Sequence, residues 1–438
     1  MNKRDFTKLI GVLPFINLAD GLVGKVLTST QEANSAESLV RVLALSSIKA
    51  TPPAEDRTWW NVLNLYTVDF KTESIREVWQ AKGLIESSNP NRLNSLVIAD
   101  LDKDGRNELI TCDSNRLYLW RVPDQKPITA ELELIRSPDA SFHTVSAGDA
   151  RKDGKQVIFA GIDAKLHMLE YDGKKLYKVA EPKVLPNTRK ILNIRIGDAD
   201  NDGSPEIVIG GMNKDPEDPK SPSARDMHAI IVYKLSHSNE LIEKARIISP
   251  YNDHMSLRIA DALNNGRNQV IATGRKRYGY SKETPENQRP EGLCIWQYNP
   301  QNGLYEPIME DVRLGVGPEA MNVGDVNKDG LSEIIVGTFG SYKTSKDRTG
   351  LELPQIQVLQ YEPVGKLKTL WKGVTNPGAH YEGITIGDVD KDGLNEFVFL
   401  MPGFIFKFDK STNNFKSIKT PIAAAYSTIG DVFLSEKK

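Results

Sequence analysis

The sequence predicts an all-β fold, a seven-bladed β-propeller whose ring is closed by strands from both ends of the chain. Three observations carry this. An acidic loop, clearest as DLDKDGRNE at 100–108, starts seven times along the chain. Its copies fall 43 to 64 residues apart, the length of a four-stranded blade with variable loops. The segments between copies read as short β-branched and aromatic strands.

The copies align on Gly/Ala-Asp. They run IADLDKDGRNELI from Ile98, SAGDARKDGKQVIFAG from Ser146 and RIGDADNDGSPEIVIGG from Arg195. RIADALNNGRNQVIATG from Arg258, NVGDVNKDGLSEIIVGTFG from Asn322 and TIGDVDKDGLNEFVFL from Thr385 follow. A seventh start, STIGDVFL at Ser427, is cut off by the C-terminus. The leading aspartates are Asp100, Asp149, Asp198, Asp261, Asp325, Asp388 and Asp431. After each second strand comes a hairpin such as LHMLEYDGKKLYKV or LCIWQYNPQNGLYEPI, with Asp172-Gly173 and Asn302-Gly303 suited to tight turns.

Closure follows from what the two ends lack. SLVRVLALSS, NVLNLYTVDF and ESIREVWQ supply three strands with no first strand, and STIGDVFL is a first strand with no followers. Joined, they make a seventh blade and leave no open sheet edge in the ring. Trp79, Trp120, Trp296 and Trp371 fall in these strands and are expected to pack between blades. The propeller is expected over 39–438. Residues 1–38, beginning MNKRDFTKLIGVLPFINLA, read either as an export signal (KRDFTK is like a twin-arginine motif with Lys3 in place of the first arginine) or as an amphipathic helix. No stretch there is long enough to span a bilayer.

Composition narrows the class. At 39% hydrophobic and 26% charged, the 438 residues can build a sizeable core. A net charge of −2 argues against a nucleic-acid binder driven by bulk charge. Two cysteines, Cys112 and Cys294, make no disulfide framework and are expected as buried thiols.

The Asp-x-Asp-x-Asp-Gly core is the form of a calcium loop, and its flanks decide which kind. An EF-hand requires a bidentate Glu at position twelve and a helix on each side. Position twelve here is Thr111, Ile209, Val336 and Phe399, and the flanks are strands. Glu stands instead at position nine, as Glu108, Glu206, Glu333 and Glu396. The pattern resembles the FG-GAP (integrin α-like) repeat, also called the VCBS-type repeat, which builds seven-bladed propellers. The resemblance extends over nearly the whole chain after about Leu39.

That resemblance implies ligands at positions one, three, five and nine, with a backbone carbonyl at seven. Carried over, the first set is Asp100, Asp102, Asp104, Glu108 and the carbonyl of Arg106; the second is Asp198, Asp200, Asp202, Glu206 and Ser204. The third is Asp325, Asn327, Asp329, Glu333 and Leu331, and the fourth is Asp388, Asp390, Asp392, Glu396 and Leu394. Ca²⁺ takes six to eight oxygens, and clustered carboxylates repel one another without a cation. About four Ca²⁺ sites are therefore expected. The Asp149 loop carries Arg151 at position three and is one residue short, leaving Gln156 where Glu is expected. The Asp261 loop carries Leu263, Asn265 and Gln269 at ligand positions. Neither is expected to hold metal.

The first-to-second-strand loops occupy one face of a propeller, and the second-to-third-strand loops the other. Enlarged segments on that other side are ATPPAEDR within 49–58, NKDPEDPKSPSARDMH at 213–228, RKRYGYSKETPENQRPEG at 275–292 and SYKTSKDRTGLELP at 341–354. Arg275, Tyr278 and Tyr280 mix cationic and aromatic chemistry suited to an anionic glycan or acidic peptide. His143, His254 and His380, with Glu319 and Glu382, precede their repeats near the channel mouth and are candidates for a metal or substrate site there. No nucleotide loop, Gly-x-Ser-x-Gly elbow or Cys₂/His₂ zinc spacing is present.

The expected function is a non-catalytic module, monomeric, that binds a protein or carbohydrate ligand outside the cytoplasm, where calcium is plentiful. The alternatives are a lyase-like carbohydrate-active enzyme with its site at the channel mouth, and a cytoplasmic scaffold should the N-terminus prove to be no export signal.

Overall fold

The computed structural model describes residues 39–50, 59–81, 85–87, 94–112, 116–122, 124, 126–131, 143–186, 188–213, 229–251, 253–275, 291–312, 314, 316–340, 355–374, 383–399, 403–421 and 426–434. All regular structure among these residues is β-strand, arranged as seven antiparallel blades.

Blade 1 is Asn94–Ala99, Glu108–Cys112, Arg116–Arg121 and Ile128–Glu131; blade 2 is His143–Gly148, Val157–Ile162, Lys165–Tyr171 and Leu176–Val184. Blade 3 is Thr188–Gly197, Glu206–Asn213, Ala229–Leu235 and Leu241–Ile248. Blade 4 is Asp253–Ala260, Gln269–Arg275, Glu291–Asn299 and Leu304–Val312. Blade 5 is Val316–Gly324, Glu333–Gly340, Gln355–Glu362 and Lys366–Val374, and blade 6 is Ile384–Gly387, Glu396–Phe399, Phe404–Asp409 and Asn414–Lys419. Blade 7 takes its first strand from the chain's end, Tyr426–Phe433. That strand pairs with Leu39–Ala50, which is followed by Trp59–Asp69 and Ser74–Gln80; Ile85–Ser87 adds a short pairing to Trp59–Asp69. The expected closure by both chain ends is present, with Arg41 opposite Asp431 and Val42 opposite Gly430.

A separate apolar cluster fills each of the seven interfaces between neighbouring blades. Phe159 and Ile209 lie in the one between blades 2 and 3, Val270 and Val208 between 3 and 4, and Leu45 and Val398 between 6 and 7. Both faces of a blade are thus covered. That is why the second strands are buried from end to end, VIFAGI as an unbroken apolar run and ELITC as one apart from Glu108 and Thr111. The outermost strands behave as edges: in Asn414–Lys419 the exposed positions include Lys416 and Lys419, charges that discourage pairing with another sheet. Trp79, Trp120 and Trp296 are buried in these interfaces, and half-buried Trp371 packs on Phe397 and Phe406. Cys112 and Cys294 are buried and unbridged.

The innermost strands pack one on the next around the ring. The residue before each repeat aspartate must be small for this to happen. A Cβ on Gly148 would stand 2.9 Å from Ile196 Cγ2 of the next blade, and one on Gly430 2.8 Å from Ile98 Cγ2. Gly324 meets Ile386 in the same way. The Gly-Asp signature therefore records the close approach of adjacent blades as well as the loop that follows.

Candidate metal centre and the opposite face

Six loops, one in each of blades 1 to 6, share one hydrogen-bonded skeleton on one face of the ring. The position-one aspartate accepts from the glycine N–H at position six, at 3.0 Å for Asp100 and Gly105 and 2.8 Å for Asp388 and Gly393. The position-five side chain accepts from the N–H at position seven, as Asp202 does from Ser204 at 2.8 Å. Glu at position nine, opening the second strand, accepts from the N–H at position two: Leu101, Ala199, Val326 and Val389 all donate at 2.8–3.0 Å. Glycine at position six holds φ near +80°, as Gly105, Gly203 and Gly393 do, a conformation a Cβ disfavours. Position four is also left-handed, at Lys103, Asn201, Asn264, Lys328 and Lys391. The sequence motif alone does not reveal that second requirement.

Carboxylate oxygens of Asp100, Asp102 and Glu108 come within 4.8 Å of one another, as do those of Asp198, Asp200 and Glu206 and those of Asp388, Asp390 and Glu396. The glutamates are fully buried, and burial pushes Glu108 and Glu396 up to about 7 and raises Glu206 as well. Asp100 Oδ1, Asp198 Oδ1 and Asp390 Oδ1 are buried and accept no hydrogen bond among the described residues. A set of clustered, desolvated oxygen donors with oxygens to spare fits a hard divalent cation. The Asp325 loop is gathered differently. Asn327 Nδ2 lies 3.2 Å from Asp329 Oδ2 and 3.0 Å from Glu333 Oε1, so amide hydrogens stand among its carboxylates.

Each loop also receives a side chain from the third strand of its own blade, and the sequence reading misses all of them. Arg121 bonds Asp104 and lies 3.6 Å from both Asp102 and Glu108. Lys234 bonds Asp202 and lies 3.2 Å from Glu206. Lys407 Nζ reaches Asp390, Asp392 and Glu396 at 2.7, 2.8 and 2.9 Å. Burial alone would lower the Lys234 and Lys407 ammonium groups, but bonds to the carboxylates outweigh it and hold both above the ordinary lysine value. In blade 5 the corresponding residue is Gln360, whose Nε2 lies 3.2 Å from Asp329 and 3.3 Å from Glu333.

The two worn loops are closed internally. Gln269 at position nine accepts from Ala262 N–H at 2.8 Å, while its Nε2 donates to the Arg267 carbonyl at 2.5 Å and Asn265 Oδ1 at 3.2 Å. Its amide occupies the middle of that loop. In blade 2, Arg151 is 3.1 Å from Asp153 and also bonds Glu170 and Asn239, both at 2.5 Å. Here the third strand supplies an acid, Glu170, to match the loop's cation.

The loops are laced to one another around the face. Asn201 Nδ2 donates to the Asn268 carbonyl at 3.0 Å and its Oδ1 accepts from Asn268 N–H at 2.6 Å; Asn264 does the same with Ser332. Asn268, Asn395 and Asn107 donate to the carbonyls of Asp198, Asp325 and Asp431. Asp431 heads no loop. Its carboxylate pairs with Arg41 at 2.8 and 2.9 Å, and the strand runs on through it.

Toward the other face, the connections 214–228, 276–290 and 341–354 join second to third strands in three successive blades, 3 to 5, at the strand ends away from the acidic loops. Those connections, with Tyr278, Tyr280 and His380, lie outside the described residues, as do the side chains of His143, Arg275, Glu319 and Glu382. His254 is fully buried between blades 3 and 4, its Nδ1 3.1 Å from the Gly211 carbonyl. The channel wall carries two arginines absent from the sequence-derived site. Arg195 donates to the Leu257 carbonyl at 2.9 Å and Arg258 to Asn322 Oδ1 at 2.8 Å, stitching blade 3 to 4 and 4 to 5.

The geometry defines a seven-bladed propeller with an acidic-loop face. A protein from Lactobacillus plantarum of known structure shares this fold, with a TM-score of 0.53 at 10% identity, covering 90% of this chain and all of the other. A protein from Desulfotomaculum acetoxidans (TM-score 0.48, 10% identity, 89% and 98% covered) is more distant. So is an Agrocybe aegerita lectin described as recognising non-reducing terminal N-acetylglucosamine (0.45, 10%, 91% and 96%). No family model matches the sequence, and no curated protein matches it. No helix among the described residues is long and apolar enough to cross a membrane.

Proposed function

We propose that this chain is an FG-GAP/VCBS-type propeller, stabilised by calcium on one face and binding a protein or carbohydrate ligand on the other, without catalysis. The observation that carries the reading is the contrast between the faces. One is built from repeated, mutually laced loops with buried carboxylates, and the other carries long connections in three successive blades. Rigid scaffold below and variable loops above is the usual construction of a binding surface.

Calcium would be held by Asp100, Asp102, Asp104 and Glu108, by Asp198, Asp200, Asp202 and Glu206, by Asp388, Asp390, Asp392 and Glu396, and by the Asp325 set. When bound, it supplies positive charge to carboxylates that burial otherwise leaves costly to ionise. Glu at position nine already fastens the second strand to the loop, so a cation there ties two strands of a blade together. An extracellular, periplasmic or cell-surface setting suits loops of this modest-affinity kind.

Calcimetric titration of chelator-stripped protein is expected to show about four sites, and excess chelator to lower the melting temperature. No uptake with an unchanged melting curve would end the calcium reading. For the ligand, glycan and protein arrays are probed with the intact chain and with variants trimmed at 214–228 and 276–290. Loss of a hit on trimming supports the loop surface. A hit that survives both trims, or turnover of an arrayed polysaccharide, overturns it.

A further inference from the structure

We infer that Arg121, Lys234 and Lys407 are tethered cations standing where a divalent ion would stand, so that side chain and ion are alternatives in those three cages. This rests on the calcium reading above and concerns how these cages are governed.

The three residues occupy one structural position. Arg121 pairs directly with Glu108 across the second and third strands, and Gln360 with Glu333. Lys234 and Lys407 stand one step beyond the pairs Ile207–Tyr233 and Phe397–Phe406, which sets them against Glu206 and Glu396. What each blade places there follows the charge of its loop. The loops headed by Asp100, Asp198 and Asp388 hold four carboxylates and face a cation. The loop headed by Asp325 holds three, with Asn327 as its fourth side chain, and faces neutral Gln360. The loop headed by Asp261 has one carboxylate and faces Gln297, and the loop containing Arg151 faces Glu170. Every four-carboxylate cage is thereby brought to the net charge of the three-carboxylate cage. A general surplus of surface lysine does not produce such matching, because the loop that carries its own cation at a ligand position, Arg151, faces an acid instead.

The position within the cage makes the alternatives exclusive. Lys407 Nζ lies within 2.9 Å of three carboxylates contributed by positions three, five and nine, which are the side chains a cation would bridge. An ammonium and a calcium ion cannot share that point. The Lys407 ammonium also lies over the Phe70 ring, 5.0 Å from its centroid, a contact that favours the cation in this position. The three cages therefore stay closed when calcium is scarce. Among the described residues the carboxylates of the Asp325 cage meet side-chain amides of Asn327 and Gln360 and no charged competitor.

Lys407→Met keeps the stem and removes the charge, and Gln360→Lys adds a charge at the equivalent point. Calcium uptake is measured by calorimetry on stripped protein, and melting is followed in chelator and in calcium. Lys407→Met is expected to make one site at least ~10-fold tighter, because a unit charge a few ångströms away is removed. It should melt lower than the parent in chelator and regain that loss in calcium. Gln360→Lys is expected to weaken or abolish one site. If the parent binds calcium but Lys407→Met binds no tighter, or its melting loss is equal with and without calcium, Lys407 is an ordinary ion pair and the inference fails while the calcium reading stands. Should Lys407→Met fail to fold, Gln360→Lys decides alone, and unchanged uptake there overturns the inference. Absence of calcium binding in parent and both variants ends both readings together.

Discussion

Arg151 shows what a single residue does when a repeat loses its usual chemistry. It stands where four other loops carry Asp or Asn, and its side chain is 5% exposed, with the guanidinium between Asp153 and Glu170. Position six of that loop keeps the common φ at Gly154 and position four at Lys152, so the turn survives although the loop is one residue shorter after Gly154. The arginine holds together groups that would otherwise be buried with unmatched charge. Arg151→Ala is expected to destabilise the protein by about 3 kcal/mol, because Glu170 would be left desolvated without its cation. Arg151→Met with Glu170→Gln should recover much of that loss. Urea unfolding of both variants checks this, and equal losses in the single and double variants would show that the pair is not the source.

At the scale of elements, the inner strands are positioned by contacts between a glycine of one blade and a β-branched residue of the next. Gly148 faces Ile196 at a distance that leaves no space for a side chain. Gly148→Val is expected to cost about 1–3 kcal/mol through overpacking, and Ile196→Ala introduced beside it should offset part of the cost. Denaturant midpoints of the two single variants and the double variant test the coupling; strictly additive losses would mean the two residues do not meet.

Elements also mark the boundary of what the sequence makes legible. Blade number and closure can be read because Gly-Asp recurs at blade length and the end segments complement each other. The ligand sets at Asp100, Asp198 and Asp388 can be read because their donors lie within nine consecutive residues. Arg121, Lys234, Gln360 and Lys407 cannot, since each returns across a connection of different length, so no fixed spacing betrays them. The asparagines lacing neighbouring loops are hidden for the same reason, their partners lying a whole blade away, as Asn201 and Asn268 do. His254 is conspicuous in sequence for its chemistry, yet it stands fully buried against the Gly211 backbone.

At the scale of the whole molecule, stability depends on how the ring is joined, because six blades are covalently continuous and the seventh is not. Among the described residues, its two chain ends are linked by the pairing of Tyr426–Phe433 with Leu39–Ala50, reinforced where Arg41 grips Asp431 through two nitrogens at 2.8 and 2.9 Å. Arg41 also donates to the Asp388 carbonyl at 3.1 Å, so the same side chain fastens the closing blade to blade 6. The bond from Arg41, aided by Lys391 and opposed by burial, holds the Asp431 carboxyl below its ordinary value of 3.8. A carboxyl lowered in the folded state contributes stability that is present above its ordinary value and disappears as pH falls through the lowered one. Asp431→Asn is therefore expected to cost about 1 kcal/mol at neutral pH, a figure kept small because both partners remain about a quarter exposed. The difference from the parent should shrink below about pH 4 and vanish under more acidic conditions. Arg41→Met should reproduce the same acid limb, and combining the two should add little. Unfolding free energies measured from neutral pH into the acid range decide the matter: a penalty for Asp431→Asn that stays constant at every pH would mean closure depends on the strand ladder and the Val42 and Val432 packing alone.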